Sequence, residues 1–330
     1  MSDKDKAMIR CEGLTKQYGE ITALEDLDLA IPPASIFGYI GHNGAGKTTT
    51  IRILAGLLRA TRGRAAIAGV DVGENPERIK ALVGYMPDSF GVYDQMRVWE
   101  YLDFFGAAFK IPRQPRRQRI DLVLNITESE YMRDRFVDTL SHGMKQRIGI
   151  ARTLMHDPQV LLLDEPANGL DPQARLHMRN LLRRLADGGK TLLVSSHILP
   201  ELAAICDYVG IIHKGRLRKA GPLRQVLSEM QRDRLMELKV LGDRRSAATL
   251  LSQTPGCSEV DASDPVENVV CFRYSGDDSA VAALLDTLRA APVRIVTFRE
   301  VPLSLEDAYM AISTAEPVGD AAPADRNRKP

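Results

Sequence analysis

Long apolar runs are missing from these 330 residues. A membrane-spanning helix needs about 20 consecutive apolar residues, whereas the most apolar stretch, VLLL at positions 160–163, runs straight into Asp164 and Glu165. No spanning segment is expected, so any membrane role must be peripheral and carried by a partner. A net charge is missing too: 44 Lys and Arg stand against 43 Asp and Glu, a formal +1. No global field therefore favours nucleic acid or an anionic membrane, and a role on nucleic acid needs a local patch. Cysteine is sparse. Cys11, Cys206, Cys257 and Cys271 stand far apart, with no CxxC pair and no His/Cys cluster of metal-ligand spacing, which fits a reducing cytosol. The opening decapeptide, MSDKDKAMIR, is charged and lacks the apolar stretch and small-residue cleavage site of a signal peptide, so export is not expected.

The length suits two domains of about 150 residues. From Met8 to about Gly221, short β-rich runs alternate with helical stretches, the pattern of an α/β domain. Strands are expected at 36–40, 82–86, 160–164, 191–195 and 208–213. Between 94 and 156 the strand signal disappears, and Trp99, Leu102, Phe105 and Phe109 recur at helical spacing, which implies a helical insert. After Pro222 a short helix is expected. The composition then resets into strand 236–240, helix 244–253, strands 258–261 and 268–274, helix 278–289 and strand 293–299, the βαββαβ order of a ferredoxin-like unit. A closing helix at 303–313 follows. The reading is thus an α/β domain at 1–230, a small α+β domain at 231–313, and a tail at 314–330 whose Ala, Pro and charge point to disorder.

The chemistry is concentrated in a few short segments. GHNGAGKT, from Gly41 to Thr48, matches G-x-x-x-x-G-K-[ST] in full and stands between an apolar strand and a helical run. Such a loop curls its backbone N–H groups onto phosphate oxygens and adds the positive end of the following helix. Gly41, Asn43, Gly44, Ala45, Gly46, Lys47, Thr48 and Thr49 are therefore the expected nucleotide contacts. Lys47 supplies a point charge to the β/γ-phosphates, and the Thr48 hydroxyl a ligand for Mg²⁺. VLLLDEP ends a buried strand in two carboxylates, at the strand end where open α/β sheets bind ligands. Asp164 is placed for the Mg²⁺ shell; Glu165 is placed to orient the attacking water or accept its proton. His197, at the end of TLLVSS, is placed to hydrogen-bond the γ-phosphate and that water. These residues together describe an Mg²⁺-dependent nucleotide triphosphatase.

LSHGMKQR, 140–147, narrows the class. It resembles the signature motif of ATP-binding-cassette (ABC) proteins and lies about 20 residues before Asp164, as in that family. The resemblance implies that Ser141 and Gly143 offer donors at a helix N-terminus to the ATP of an opposite subunit, in a sandwich homodimer. It also implies that Tyr18 in LTKQYG stacks on adenine and that Asp171 in NGLDP crosses the dimer interface. Three positions depart from the family pattern: His142 and Met144 stand where Gly and Gln are usual, and Asp88 in GYMPDSFGVY stands where Gln is usual. Asp can still ligate the metal, so Asp88 is kept as a site residue. GYMPDSFGVY, EYLDFF and LSLEDAYMAIS are similar to ATPase subunits of type-2 ABC exporters. The resemblance implies a peripheral ATPase on the cytoplasmic face of the inner membrane, paired with a separate polytopic permease, with no nucleic acid partner.

The competing reading is a soluble ABC protein acting on ribosomes or nucleic acid. Such ribosomal members carry two cassettes joined by a basic linker, and DNA-repair members carry a long coiled coil; neither feature is present. The basic cluster Arg113, Arg116, Arg117 and Arg119 reads as a solvated helix face. A further reading makes the βαββαβ unit a small-molecule or RNA sensor. Phe272 and Tyr274 share one face of a strand but lack the flanking Gly/Lys signature of RNA-binding versions, so a packing or dimer-stabilising role is preferred.

Overall fold

The computed structural model describes residues 7–89, 91, 95–230, 233–262, 268–301 and 304–314. The tail expected to be disordered lies, apart from Thr314, outside the described residues, as does the expected start of the insert at Asp94 and of the closing helix at Leu303. By its contacts the chain divides into two units, the second being Arg224–Ala311. The division falls earlier than the expected boundary at 230 and puts the short helix after Pro222 with the second unit.

The first unit contains two sheets. Strands β1 (Ile9–Tyr18), β2 (Ile21–Ile31), β4 (Arg62–Ile67) and β5 (Val70–Asp71) form an antiparallel sheet in the order β2-β1-β4-β5. The other sheet runs β10-β9-β3-β8-β7-β6, from strands β3 (Ile36–Ile40), β6 (Val83–Met86), β7 (Val160–Asp164), β8 (Thr191–Ser196), β9 (Tyr208–His213) and β10 (Arg216–Pro222). All its neighbours are parallel except the β9–β10 hairpin at one edge. Every residue of β3, β7 and β8 is buried, as covered parallel strands require. Helix α1 (Lys47–Leu54) packs against β7 as well as β2 and β4. Its Ile51 and Leu54 join Ile9, Leu24, Phe37, Leu162 and Leu193 in one core. A buried bond between the Tyr39 hydroxyl and Thr50 Oγ1, 3.2 Å, ties α1 to β3.

Helices α2 (Pro76–Leu82), α3 (Val98–Ala108), α4 (Arg113–Ile126) and α5 (His142–Thr153) follow, the last three forming the expected insert. Two members of the basic cluster are structural. Arg116 Nε and Nη2 grip both oxygens of Asp103, at 2.6 and 3.2 Å. Arg119 donates to the Leu154 and Met155 carbonyls behind α5. The cluster is thus not uniformly solvated, and half of it holds the insert together. Helices α6 (Pro172–Asp187) and α7 (Leu199–Ala203) complete the unit.

The second unit holds α8 (Leu223–Met230), β11 (Arg234–Leu241), α9 (Arg244–Gln253), β12 (Cys257–Asp261), β13 (Val269–Tyr274), α10 (Asp278–Ala290), β14 (Arg294–Val301) and α11 (Leu305–Thr314). From β11 to β14 this is βαββαβ, with sheet order β12-β13-β11-β14 and only antiparallel neighbours. Met236, Leu238 and Val240 alternate along β11 toward a core shared with Leu251, Leu284 and Leu288 of the helices. Phe272 and Tyr274 lie in that same core. They face the helices, so this pair does not form the exposed aromatic platform that RNA stacking needs.

Candidate nucleotide site

Three adjacent parallel strands, β7, β8 and β3, end at one edge of the sheet, and each delivers part of the site there. This is the edge where open α/β sheets bind ligands. The loop 41–48 joins β3 to α1, whose cap is Gly46 at φ 112°. That conformation suits only glycine, and a Cβ there would meet the Ala23 carbonyl at 2.8 Å. Lys47, 6% exposed, folds back so that its ammonium donates to the Gly41 carbonyl at 2.6 Å and approaches Glu165 Oε1 at 3.6 Å.

Asp164 ends β7 directly opposite Ser195 of β8. The Ser195 hydroxyl donates to Asp164 Oδ1 at 2.6 Å and accepts the Glu165 N–H at 3.1 Å. Glu165 has φ 52°, the left-handed region that a side chain adopts only under constraint. Its carboxylate reaches His197, with Oε2 2.8 Å from Nδ1.

A cavity of about 220 Å³ collects Asn43, Gly44, Gly46, Lys47, Thr48, Thr49, Asp88, Asp164 and Glu165 from the expected set, together with Ala23 and His42. The other expected residues stand outside its wall. Gly41 lends its carbonyl to Lys47, while Ala45 is buried and its N–H bonds the His42 carbonyl at 3.1 Å. His197 reaches the site through Glu165. Tyr18 is 46% exposed at the β1–β2 hairpin, with the Lys16 ammonium 5.0 Å above its ring. Ser141 caps α5, accepting the Met144 N–H at 3.4 Å, and Gly143 lies in that helix's first turn. Asp171 caps α6 by accepting the Ala174 N–H at 2.8 Å.

Ser195, Ala23 and His42 were not foreseen. A serine directly after the apolar LLV of TLLVSS is the signal for the first, and the open positions of G-x-x-x-x-G-K for the third. Nothing local marks Ala23, which the antiparallel sheet brings in.

The wall of this cavity fits a polyphosphate: a buried ammonium, a helix N-terminus and open glycine backbone on one side, carboxylates on the other. Among the described residues no group of three or more His, Cys, Asp or Glu is gathered to hold a metal alone. Asp88 and Asp164, which line the cavity, fit Mg²⁺, which takes one or two carboxylates and completes its shell with waters and phosphate oxygens.

Comparison with known proteins identifies the family. A family model for ABC transporters matches residues 24–168. The Nod factor export ATP-binding protein I of Ralstonia nicotianae is 33% identical over 94% of this chain and 94% of its own length. The bacitracin transport ATP-binding protein of Bacillus licheniformis is 38% identical over 74% of this chain and 79% of its own. A solved dimeric cassette of a bacterial ABC transporter superposes with a TM-score of 0.59 at 25% identity, covering 66% of this chain and 99% of that one. With the phosphate loop, the paired carboxylates and the capped signature turn all in place, this chain belongs to the ATP-binding subunits of ABC transporters, which couple ATP hydrolysis to transport.

Proposed function

We propose that two copies of this chain close head to tail around two ATP molecules, each with Mg²⁺, and so drive a separate membrane permease, in the manner of an exporter. The observation that carries the sandwich is the division of the expected contacts. Lys47, Asp164 and Glu165 line one cavity, whereas Ser141, Gly143 and Asp171 lie elsewhere, at the capped ends of α5 and α6. A second copy is needed to bring such donors to the γ-phosphate and Tyr18 is left for the adenine of its own chain. The solved dimeric cassette similar to this chain supports the arrangement.

Within each half, Thr48, Asp164 and Asp88 are the residues that would hold Mg²⁺, which when bound neutralises the β/γ-phosphate oxygens. Lys47 gives up its carbonyl contacts for phosphate oxygens. Glu165, relieved of Lys47 and oriented by His197, takes a proton from water as the water oxygen attacks the γ-phosphorus and the bond to ADP breaks. Losing the γ-phosphate removes the attraction for the opposite signature turn, and the pair reopens.

Among the described residues no helix is long and apolar enough to cross a membrane, and the names of the relatives, ATP-binding proteins of transport systems, favour a permease carried on a separate chain. An apolar groove of about 380 Å³, lined by Leu57, Tyr85, Pro87, Phe105 and Phe109, adjoins the Asp88 loop and supports permease docking there, on the cytoplasmic face of the membrane. The name of one relative, Nod factor export, favours outward movement. The first unit then serves the nucleotide, and the second, Arg224–Ala311, takes a packing or dimer-stabilising role.

Substituting Glu165→Gln leaves ATP binding intact and traps an ATP-dependent dimer in gel filtration with Mg²⁺. An ATP-loaded variant that stays strictly monomeric would sink the sandwich.

A further inference from the structure

Asp88 and His142, two of the departures from the family pattern, meet through one residue. Asn168 Nδ2 donates to Asp88 Oδ1 at 3.2 Å, and the Asn168 main-chain carbonyl, an acceptor only, lies 2.9 Å from His142 Nε2, which therefore carries the proton. Each end of this chain of contacts has a place in the site. Asp88 lines the phosphate cavity, and His142 begins α5 directly after the capping Ser141. The middle is well fixed. The Asn168 N–H donates to the Glu165 carbonyl at 3.1 Å. Beside it Gly169 has φ 69°, and a Cβ there would crowd His142 Nε2 at 3.4 Å. The next helix closes the arrangement, since a Cβ on Gly143 would reach that of Ala174 in α6 at 3.3 Å. The Gly usual at position 142 has no side chain with which to reach Asn168, so this link is particular to chains carrying His there.

We propose that Asp88, Asn168 and His142 are positioning residues that form a relay, tying occupancy of the phosphate cavity to the order of the Ser141 turn in the same subunit. The consequence, that a nucleotide in one half prepares that half's signature turn for the partner copy, rests on the sandwich reading given above. The relay is intramolecular and is tested without it. Spatial adjacency is not coupling; a double-mutant cycle separates the two. If the contacts act in series, breaking either removes the same transmission.

The test follows deuterium exchange at the Met144 and Lys145 amides, which bond to the Ser141 hydroxyl and carbonyl. Full-length protein is used, dilute enough to be monomeric, with and without ATP and Mg²⁺. ATP slows exchange at both amides. Asn168→Ala and His142→Ala each remove roughly two- to tenfold of that slowing, the net worth of one hydrogen bond, and the double variant loses no more than either. Asn168→Asp alone, which sets two carboxylates together, behaves like Asn168→Ala. Combined with Asp88→Asn, at ATP and Mg²⁺ concentrations shown to saturate that variant, it exchanges donor for acceptor and restores the slowing. Additive losses, no loss in Asn168→Ala, or no restoration by the exchanged pair overturn the relay. A monomeric Glu165→Gln protein would overturn the sandwich while leaving this result standing.

Discussion

Ser195→Ala tests the construction of the site most directly, because one hydroxyl serves both acidic residues. Ser195 is fully buried, and its O–H donates to Asp164, which is 3% exposed. Removing it leaves a buried carboxylate short of a charge-assisted bond, a loss of about 1.5–3 kcal/mol. The Glu165 N–H loses Oγ at 3.1 Å but keeps the Ser195 carbonyl at 3.2 Å, so that side adds little. The left-handed turn at Glu165 is held by these same contacts, and loosening it misplaces the carboxylate proposed as the base. If about 1.4 kcal/mol of the loss appears in the barrier, turnover falls roughly tenfold. The assay pairs phosphate release with urea unfolding followed by fluorescence of Trp99, the one tryptophan of the chain, which lies in the first unit. Ser195→Thr keeps the hydroxyl and recovers most of both quantities. An alanine variant as stable and as fast as its parent would refute the reasoning, and so would a threonine variant no better than alanine.

Gly46→Ala forces a side chain into φ 112° and against the Ala23 carbonyl. It destabilises by about 1–3 kcal/mol and loses binding of a fluorescent ATP analogue; normal binding would show that the loop tolerates a Cβ. His156 gives a pH dependence. Its ring stacks on Phe109 at 3.9 Å and hydrogen-bonds the Val83 carbonyl at 2.9 Å, and burial holds its pKa below the ordinary histidine value. The nearby Arg119 and Lys190 push it further down, against Asp157 and the Val83 bond. The folded state thus binds fewer protons than the unfolded chain, so its stability contribution is present above the ordinary value and is lost as the pH falls toward the folded one. The urea midpoint of the first unit should drop between about pH 7.5 and 5.5, and less steeply in His156→Phe. Equal slopes would remove His156 from the account.

What was legible in the sequence was what is local. The phosphate loop, the acids of VLLLDEP and the signature turn each occupy a few consecutive residues, and their chemistry is set by residue type and flanking structure. The second sheet was legible because β11 and β13 alternate buried and half-buried positions without interruption. The first was not. Pairing of β1 with β2 shifts register after Cys11, Leu14 and Lys16, and such bulges break the period of two that marks a strand. Ala23, delivered to the cavity by β2, was lost with it. The two halves of the arginine cluster could not be told apart, because Arg116 and Arg119 owe their roles to Asp103 and to carbonyls of a distant helix.

Ser195 shows why the site as a whole needs more than its motifs. Its role depends on the parallel register in which Asp164 stands opposite Ser195. Side chains alternate faces along a strand, so a slip of β8 by one residue would put Val194 or Ser196 opposite Asp164 and send the hydroxyl to the wrong face. The same slip would move His197 relative to Glu165. Register here is set by residues without chemistry of their own: Leu161 and Leu163 pair with Leu192 and Val194, all of them buried. The apolar residues that carry no chemistry therefore decide whether the acidic pair can act.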